Sequence, residues 1–143
     1  MEIEFKYTKE GVNWNDLSNL YRRAPLGNKS ASELERAFSN SMFKCFVWSL
    51  GNIVGAGRAL ADGVDCSYIC DVAVLPEYQG KGIGGDIISS LLKASEGHKK
   101  IILYSVPGRE TFYKKYGFKR MNTAMAIFQN EANALNIGLV NET

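Results

Sequence analysis

Residues 2–8, E-I-E-F-K-Y-T, alternate apolar and polar side chains, the two-residue period of a half-buried first strand. The period then lengthens. Trp14, Leu17, Leu20, Tyr21 and Ala24 recur at helical spacing, and Pro25 with Gly27 closes that segment. A second short helix carries Leu34, Ala37 and Phe38 as its apolar stripe, and either Ser30-x-x-Glu33 or Ser32-x-x-Glu35 can form a capping box at its start. Residues 43–50 and 53–60 flank Gly51-Asn52 and predict a hairpin. The polar turn Asp62-Gly63 leads to a strand over 67–75 and then to a glycine-rich loop. Beyond the loop, Ile83, Ile87, Ile88, Leu91 and Leu92 share one helical face, with Gly97 as the natural stop. Residues 100–106, K-I-I-L-Y-S-V, form a nearly continuous apolar run, as expected of a strand covered on both faces and reached by a crossover helix. A short helix over 110–116 ends at Gly117, and 118–121 and 124–129 read as two last strands.

The predicted order is β-α-α-β-β-β-α-β-α-β-β, antiparallel early with one parallel crossover around the glycine loop. That is an α/β (α+β) chain, and its 143 residues suit a single domain, 1–143. The tail 130–143 carries no strong pattern. It leaves open packing on the sheet, contact with a second subunit as in a homodimer, or a loose end.

Composition changes this picture little. Apolar residues make up 45% and charged residues 22%, which is ordinary for a globular chain. A formal charge of +2 is too small to argue for nucleic acid, and the basic pairs Arg22-Arg23, Lys99-Lys100 and Lys114-Lys115 read as solvated surface. The start MEIEFKYTKE has no apolar signal core, and no run approaches the ~18 residues that span a bilayer, so a soluble, cytoplasmic protein with no membrane partner is expected. Three cysteines fit a reducing compartment. Cys66 and Cys70, four apart in a strand, lie roughly 13 Å from one another and cannot share a metal ion, so no metal site is expected. Cys45 reads as core filling. His98, the only histidine, falls in the polar stretch Ser-Glu-Gly-His-Lys-Lys, where an exposed connector is expected rather than a catalytic base.

The chemistry concentrates in the loop within V-L-P-E-Y-Q-G-K-G-I-G-G-D-I-I, residues 74–88. Gly80-x-Gly82-x-x-Gly85 matches the dinucleotide fingerprint letter for letter, but the surroundings do not. That fingerprint needs its first glycine almost directly after the strand and an acid ~20 positions on at the tip of the next strand. Here Leu-Pro-Glu-Tyr-Gln intervenes, the next strand ends in Ser105-Val106, and too little chain remains for further parallel units. No Gly-Lys-Ser/Thr follows either, which excludes a Walker loop. What survives is a strand, a glycine-rich turn and a helix whose first N–H groups point into the turn. Such a helix end carries roughly +0.5 of an elementary charge and favours an anion, and Lys81 adds a full positive charge at its mouth.

D-V-A-V-L-P-E-Y-Q-G-K-G-I-G resembles the acetyl-coenzyme A signature of the GNAT superfamily of N-acetyltransferases, whose Q/R-x-x-G-x-G/A motif matches Gln79-Gly80-Lys81-Gly82-Ile83-Gly84. F-Y-K-K-Y-G-F at 112–118 resembles the family's later helix-to-strand motif, at the usual separation. The likeness covers nearly the whole chain, with the first ~60 residues matching only in pattern. It implies a mixed, mostly antiparallel sheet of six to seven strands flanked by about four helices, with a splayed parallel strand pair. It further implies acetyl-coenzyme A as co-substrate, its pantetheine arm on the backbone of Val72, Ala73 and Val74 and its pyrophosphate on the N–H groups of Gly80 to Gly85. Gly85 itself is spare to the motif and free to aid close packing of the helix.

The same resemblance places Tyr113 as general acid toward the leaving thiolate, and Tyr116 is then the packing residue. The base often comes from positions that map here to Tyr68 and Cys70, which by the period of two share a face with Val72 and Val74. Asp71 points to the other face, and a water relay is expected. Val106 stands where some members carry an asparagine to the pantetheine. Tyr21, Arg23, Trp48 and Arg58 are candidates to line the acceptor site, with Arg23 or Arg58 available to a substrate carboxylate. The leading expectation is an N-acetyltransferase acting on a small-molecule primary amine. The rivals are a protein N-terminal or lysine acetyltransferase, disfavoured by the short connectors, and a catalytically silent coenzyme A-binding sensor.

Overall fold

The computed structural model describes residues 2–143, which divide into two compact units, one ending at Leu103 and the other Tyr104–Thr143. The first unit holds a five-stranded sheet in the order β1-β2-β3-β4-β5, with β1 (Glu4–Lys6), β2 (Phe43–Ser49), β3 (Asn52–Ala61), β4 (Cys66–Val74) and β5 (Lys100–Ile102). The first three pairings are antiparallel and β4 with β5 is parallel. The mixed α/β fold is therefore as expected, with fewer strands than the six to seven anticipated.

Helix α1 (Trp14–Arg23) starts at Asn13, whose side-chain oxygen accepts the amides of Asn15 and Asp16. Helix α2 (Ala31–Ser39) uses the first of the two capping boxes offered by its sequence. Ser30 accepts the Glu33 amide and Glu33 accepts the Ser30 amide. Both helices bury one stripe on the same sheet face, where Leu17, Leu20, Tyr21, Leu34, Phe38, Phe46 and Ala73 form the main core.

The other face takes α3 (Ile83–Ala94), which buries Ile83, Ile87, Ile88 and Leu91. It lies close because β3 has no side chain beneath it. A Cβ on Gly57 would stand 2.8 Å from Ile87 Cγ2 and 3.2 Å from Leu91 Cδ1. Any larger residue there would lift the helix, and with it the loop that precedes it.

Several expectations need correction. The β2–β3 hairpin turns on Leu50-Gly51, both at positive φ, one residue earlier than Gly51-Asn52. Strand β5 stops at Ile102, short of the predicted 106, because its ladder reaches only Cys66, Ser67 and Tyr68 of β4. His98 is not a free connector. Its Nε2 accepts the Gly63 amide at 3.0 Å, its Nδ1 lies 2.8 Å from the Ser95 carbonyl, and its ring meets Phe43 edge-on.

The second unit contains α4 (Glu110–Lys114), followed by a turn ending at Gly117, and α5 (Glu131–Asn136). Helix α5 lies in the tail that showed no pattern, capped by the Asn130 side chain. It brings the helices among the described residues to five. Residues 118–121 and 124–129 are not strands, because no described strand pairs with them. Met125 and Ile127 stand fully exposed as a result.

Candidate functional site

Strand β4 carries the feature around which the site is built. Arg58 pairs with Cys70 and Ala56 with Ala73, so the single residue Gly57 faces both Asp71 and Val72. The extra residue, Asp71, sits at φ 57, outside the extended region. This bulge shifts the two-residue period by one. Cys70 and Asp71 both lie on the α1/α2 face, whereas Val72 and Val74 turn toward α3, where Val72 would meet a Cβ on Gly57 at 3.2 Å and Val74 one on Gly84 at 3.8 Å. The expectation that Tyr68 and Cys70 share a face with Val72 and Val74, with Asp71 opposite, is overturned by that one inserted residue.

A cluster holds the bulge. Asp71 Oδ2 accepts Arg58 Nε at 2.8 Å, Lys29 Nζ stands 3.7 Å from Oδ1, and the Asp71 carbonyl accepts the Tyr21 hydroxyl at 2.6 Å. Arg58 also donates to Ser41 Oγ at 3.2 Å and packs over the Phe38 ring. Burial, with Asp71 adding to it, holds the Tyr21 hydroxyl well above its ordinary value. Burial likewise pushes the Cys70 thiol up to about 11, against the pull of Arg58. A thiol so placed keeps its proton at neutral pH and cannot serve there as a base.

Past the bulge the outer edge of β4 has no strand on it. The β5 ladder ends at Tyr68, so among the described residues no strand pairs with Ile69–Val74 on the side away from β3. Leu75 N–H reaches back to the Val54 carbonyl at 2.9 Å, so the Val74 carbonyl, trans across the same peptide, points to this open edge. There Gln79 donates its side-chain amide to it at 2.9 Å, which ties the loop to the end of the strand.

Between them runs a single 3-10 turn, Pro76–Tyr78, and then the glycines. Gly80 and Gly82 take φ of 78 and 83, left-handed values that L residues rarely adopt, and open space lies where their side chains would be. Gly82 is the N-cap of α3, with no side chain on the helix end; the first helical bond is Asp86 N–H to the Gly82 carbonyl at 3.0 Å. Among the described residues, the amides of Ile83, Gly84 and Gly85 are therefore left without a side-chain partner, at the positive end of a 12-residue helix. Lys81 is exposed beside them, and Gly85 is buried on the packed side of the helix. An open strand edge leading to an open helix end suits an elongated ligand with an anionic group, and the site fits a pantetheine arm ending in a pyrophosphate.

Comparison with known proteins decides the family. The Acetyltransferase (GNAT) domain family matches residues 6–128. The chain belongs to the GNAT acetyltransferases.

Relatives of this GNAT chain include an uncharacterized ycf52-like N-acetyltransferase of Prochlorococcus marinus, 28% identical over 72% of the chain and 61% of the relative. The chloroplastic serotonin N-acetyltransferase 2 of Oryza sativa subsp. japonica is 30% identical over 76% of the chain and 57% of the relative. The chain thus spans about 60% of the length of these curated relatives. Among solved structures, a putative acetyltransferase of Deinococcus radiodurans superposes with a TM-score of 0.81 at 23% identity, covering 92% of each chain, and so shares the fold.

The remaining candidates of the GNAT reading are placed as follows. Tyr113 lies in α4 of the second unit, half-buried, edge-on to Phe112 and to Phe118. Burial raises its hydroxyl above the ordinary value, with Arg109 pulling the other way, so it holds its proton at neutral pH. Tyr116 packs on Phe112, and Val106 is exposed. Of the residues proposed to line the acceptor site, Tyr21 is fully buried core and Arg58 is engaged by Asp71. Arg23 pairs with Glu77, and Trp48 packs against the main core beneath the Lys6 ammonium. Both arginines thus pair with a carboxylate of the chain. Among the described residues, no helix is long and apolar enough to cross a membrane.

Proposed function

We propose that the chain is an acetyl-coenzyme A-dependent N-acetyltransferase acting on the primary amine of a small molecule, with both units working as one domain. The observation that carries this reading is the uncapped N-terminus of α3, opening from left-handed Gly82 beside a strand edge that no described strand pairs with. In it, the backbone of Val72, Ala73 and Val74 takes the pantetheine arm. The amides of Gly80 to Gly85, with Gln79, Lys81 and Ile83 shaping the turn, hold the pyrophosphate. Charge-assisted amide bonds are worth about 1.5–3 kcal/mol each, so two or three suffice to anchor it.

Acetyl-coenzyme A supplies the acetyl group as a thioester, and the chain's task is to manage two protons. A lysine-like amine of pKa ~10.4 is only about one part in 10³ neutral at pH 7, so it must lose a proton before attack. Cys70 cannot take it, and a water relay on the α1/α2 face does so. Tyr113 returns a proton to the departing sulfur. Because a thiol of pKa ~8.5 is already a fair leaving group, Tyr113→Phe is expected to lower turnover by about 10²-fold, the modest end of general-acid effects. Unchanged turnover at saturating substrates would remove Tyr113 from this role.

A small amine is favoured by the short connectors and by the rice relative, named for serotonin, a small aromatic amine. Thiol release on a panel of serotonin, other small amines and peptides tests the reading. Release with small amines supports it, and release only with peptides transfers the activity to protein acetylation. Coenzyme binding without release on any acceptor makes the chain a sensor.

A further inference from the structure

We propose that Gly57 is a positioning residue for the coenzyme: it sets the distance between the β4 edge that takes the pantetheine arm and the α3 end that takes the pyrophosphate, although it belongs to neither. The proposal rests on the acetyltransferase reading for the identity of the ligand.

Gly57 stands where three elements converge. In the β3 register it falls between Ala56, opposite Ala73, and Arg58, opposite Cys70, so the β4 bulge passes directly across from it. A Cβ there would stand 3.2 Å from Val72 Cγ2 on the bulge and 2.8 Å from Ile87 Cγ2 on α3. Both atoms are methyl groups of β-branched side chains, whose stiff χ1 ties them to their own backbone. Ile87 is fully buried, so it has no solvent side to yield toward. Restoring an ordinary carbon–carbon contact of about 3.5 Å to Ile87 therefore moves the strands and α3 apart by roughly 0.7 Å. Gly55, two residues earlier, also lies under α3, but it meets Ile87 only at Cδ1, the far end of the side chain. Nor does the backbone at Gly57 require glycine, since its φ is not among the positive ones. Space alone requires it.

The two crowded side chains belong to the two halves of the coenzyme site. Val72 begins the stretch Val72–Val74, whose outer side no described strand pairs with. Ile87 follows the Gly82 cap of α3 by five residues, about 7.5 Å along the helix. A methyl group at Gly57 would push these halves apart. Arm and pyrophosphate are one covalent molecule, so holding one raises the local concentration of the other, and that gain persists only while the span of the sites matches the span of the ligand.

The test measures coenzyme A by calorimetry, and its two halves, pantetheine and ADP, by NMR titration, in wild type, Gly57→Ala, Ile87→Leu and the double variant. Gly57→Ala should weaken coenzyme A by roughly 10- to 100-fold, as a misplacement approaching 1 Å does. Each half should weaken by less than about two-fold, because only the spacing of the subsites has changed. Leucine keeps the volume of isoleucine without its γ2 methyl, so Ile87→Leu should bind like wild type and bring the double variant back to within about three-fold of it. Where Gly57→Ala does not fold, the double variant decides by that figure. Unchanged coenzyme A affinity in Gly57→Ala, an equal loss in either half, or a double variant that stays about 10-fold weaker overturns the proposal. If wild type binds no coenzyme A, the acetyltransferase reading falls and the proposal with it; if wild type and Gly57→Ala bind equally, the proposal falls alone.

Discussion

Helices α2 and α3 begin in opposite ways. At α2, the Ser30 hydroxyl and the Glu33 carboxylate each accept an amide, and the helix end is closed by its own side chains. At α3 the N-cap is Gly82, with nothing to offer, in a left-handed conformation with open space around it. Both helices are well packed along their length, so the open end of α3 is not a sign of a weak element. A capped terminus gives its amides to the fold, and an uncapped one keeps them for a ligand.

The sharpest way to break this contrast is to cap α3 as well. Gly82→Asp places a carboxylate where the pyrophosphate is proposed to sit, and aspartate tolerates left-handed backbone better than most residues. Affinity for coenzyme A, measured by calorimetry, should fall by at least about 10²-fold, since like charges at a binding site cost several kcal/mol. The mirror change, Ser30→Asp, exchanges one good cap for another and should leave that affinity unaltered. Equal affinities in the two variants would show that the amides of α3 hold no anion.

The contrast was legible in the sequence to an unequal degree. Ser30-x-x-Glu33 announces a cap by residue type, and the run Gly80-Lys81-Gly82-Ile83-Gly84-Gly85 announces the lack of one. Both rest on local chemistry, and the structure places both helix starts within a residue or two of where they were read. What the sequence hid depends on pairing between distant segments. The bulge at Asp71 sets Gly57 against two residues of β4, a pairing that the period of S-Y-I-C-D-V-A-V does not report. An aspartate interrupting an apolar strand was the available signal. The strands expected over 103–106, 118–121 and 124–129 failed for a related reason: an apolar pattern reports a preference for extended backbone, and a strand also needs a partner.

A smaller intervention asks whether glycine itself keeps the α3 end open. Gly82→Ala adds a methyl group into empty space, so its cost is the left-handed backbone alone, about 1–2 kcal/mol of stability. Ser30→Ala removes the α2 cap and should cost about 1 kcal/mol. Denaturant midpoints measure both. If Gly82→Ala were neutral, the left-handed turn would not be what shapes the loop.

The smallest effect separates the two helix starts by pH. Glu33 is held below the ordinary carboxylate range first by the Ser30 hydroxyl, then by the Ser30 amide. A carboxyl group whose folded value is depressed stabilises the fold above its unfolded value, and that contribution is lost as pH falls through the folded one. The stability gap between wild type and Glu33→Gln should therefore be fully present at neutral pH, begin to narrow below the ordinary value of 4.5, and close once Glu33 is protonated in the folded chain. Asp86, in the first turn of α3, caps no amide, so Asp86→Asn has no such contribution to lose. Parallel pH profiles for the two variants would mean that the Ser30–Glu33 box does not hold α2 closed, and the contrast between the helix starts would lose its basis.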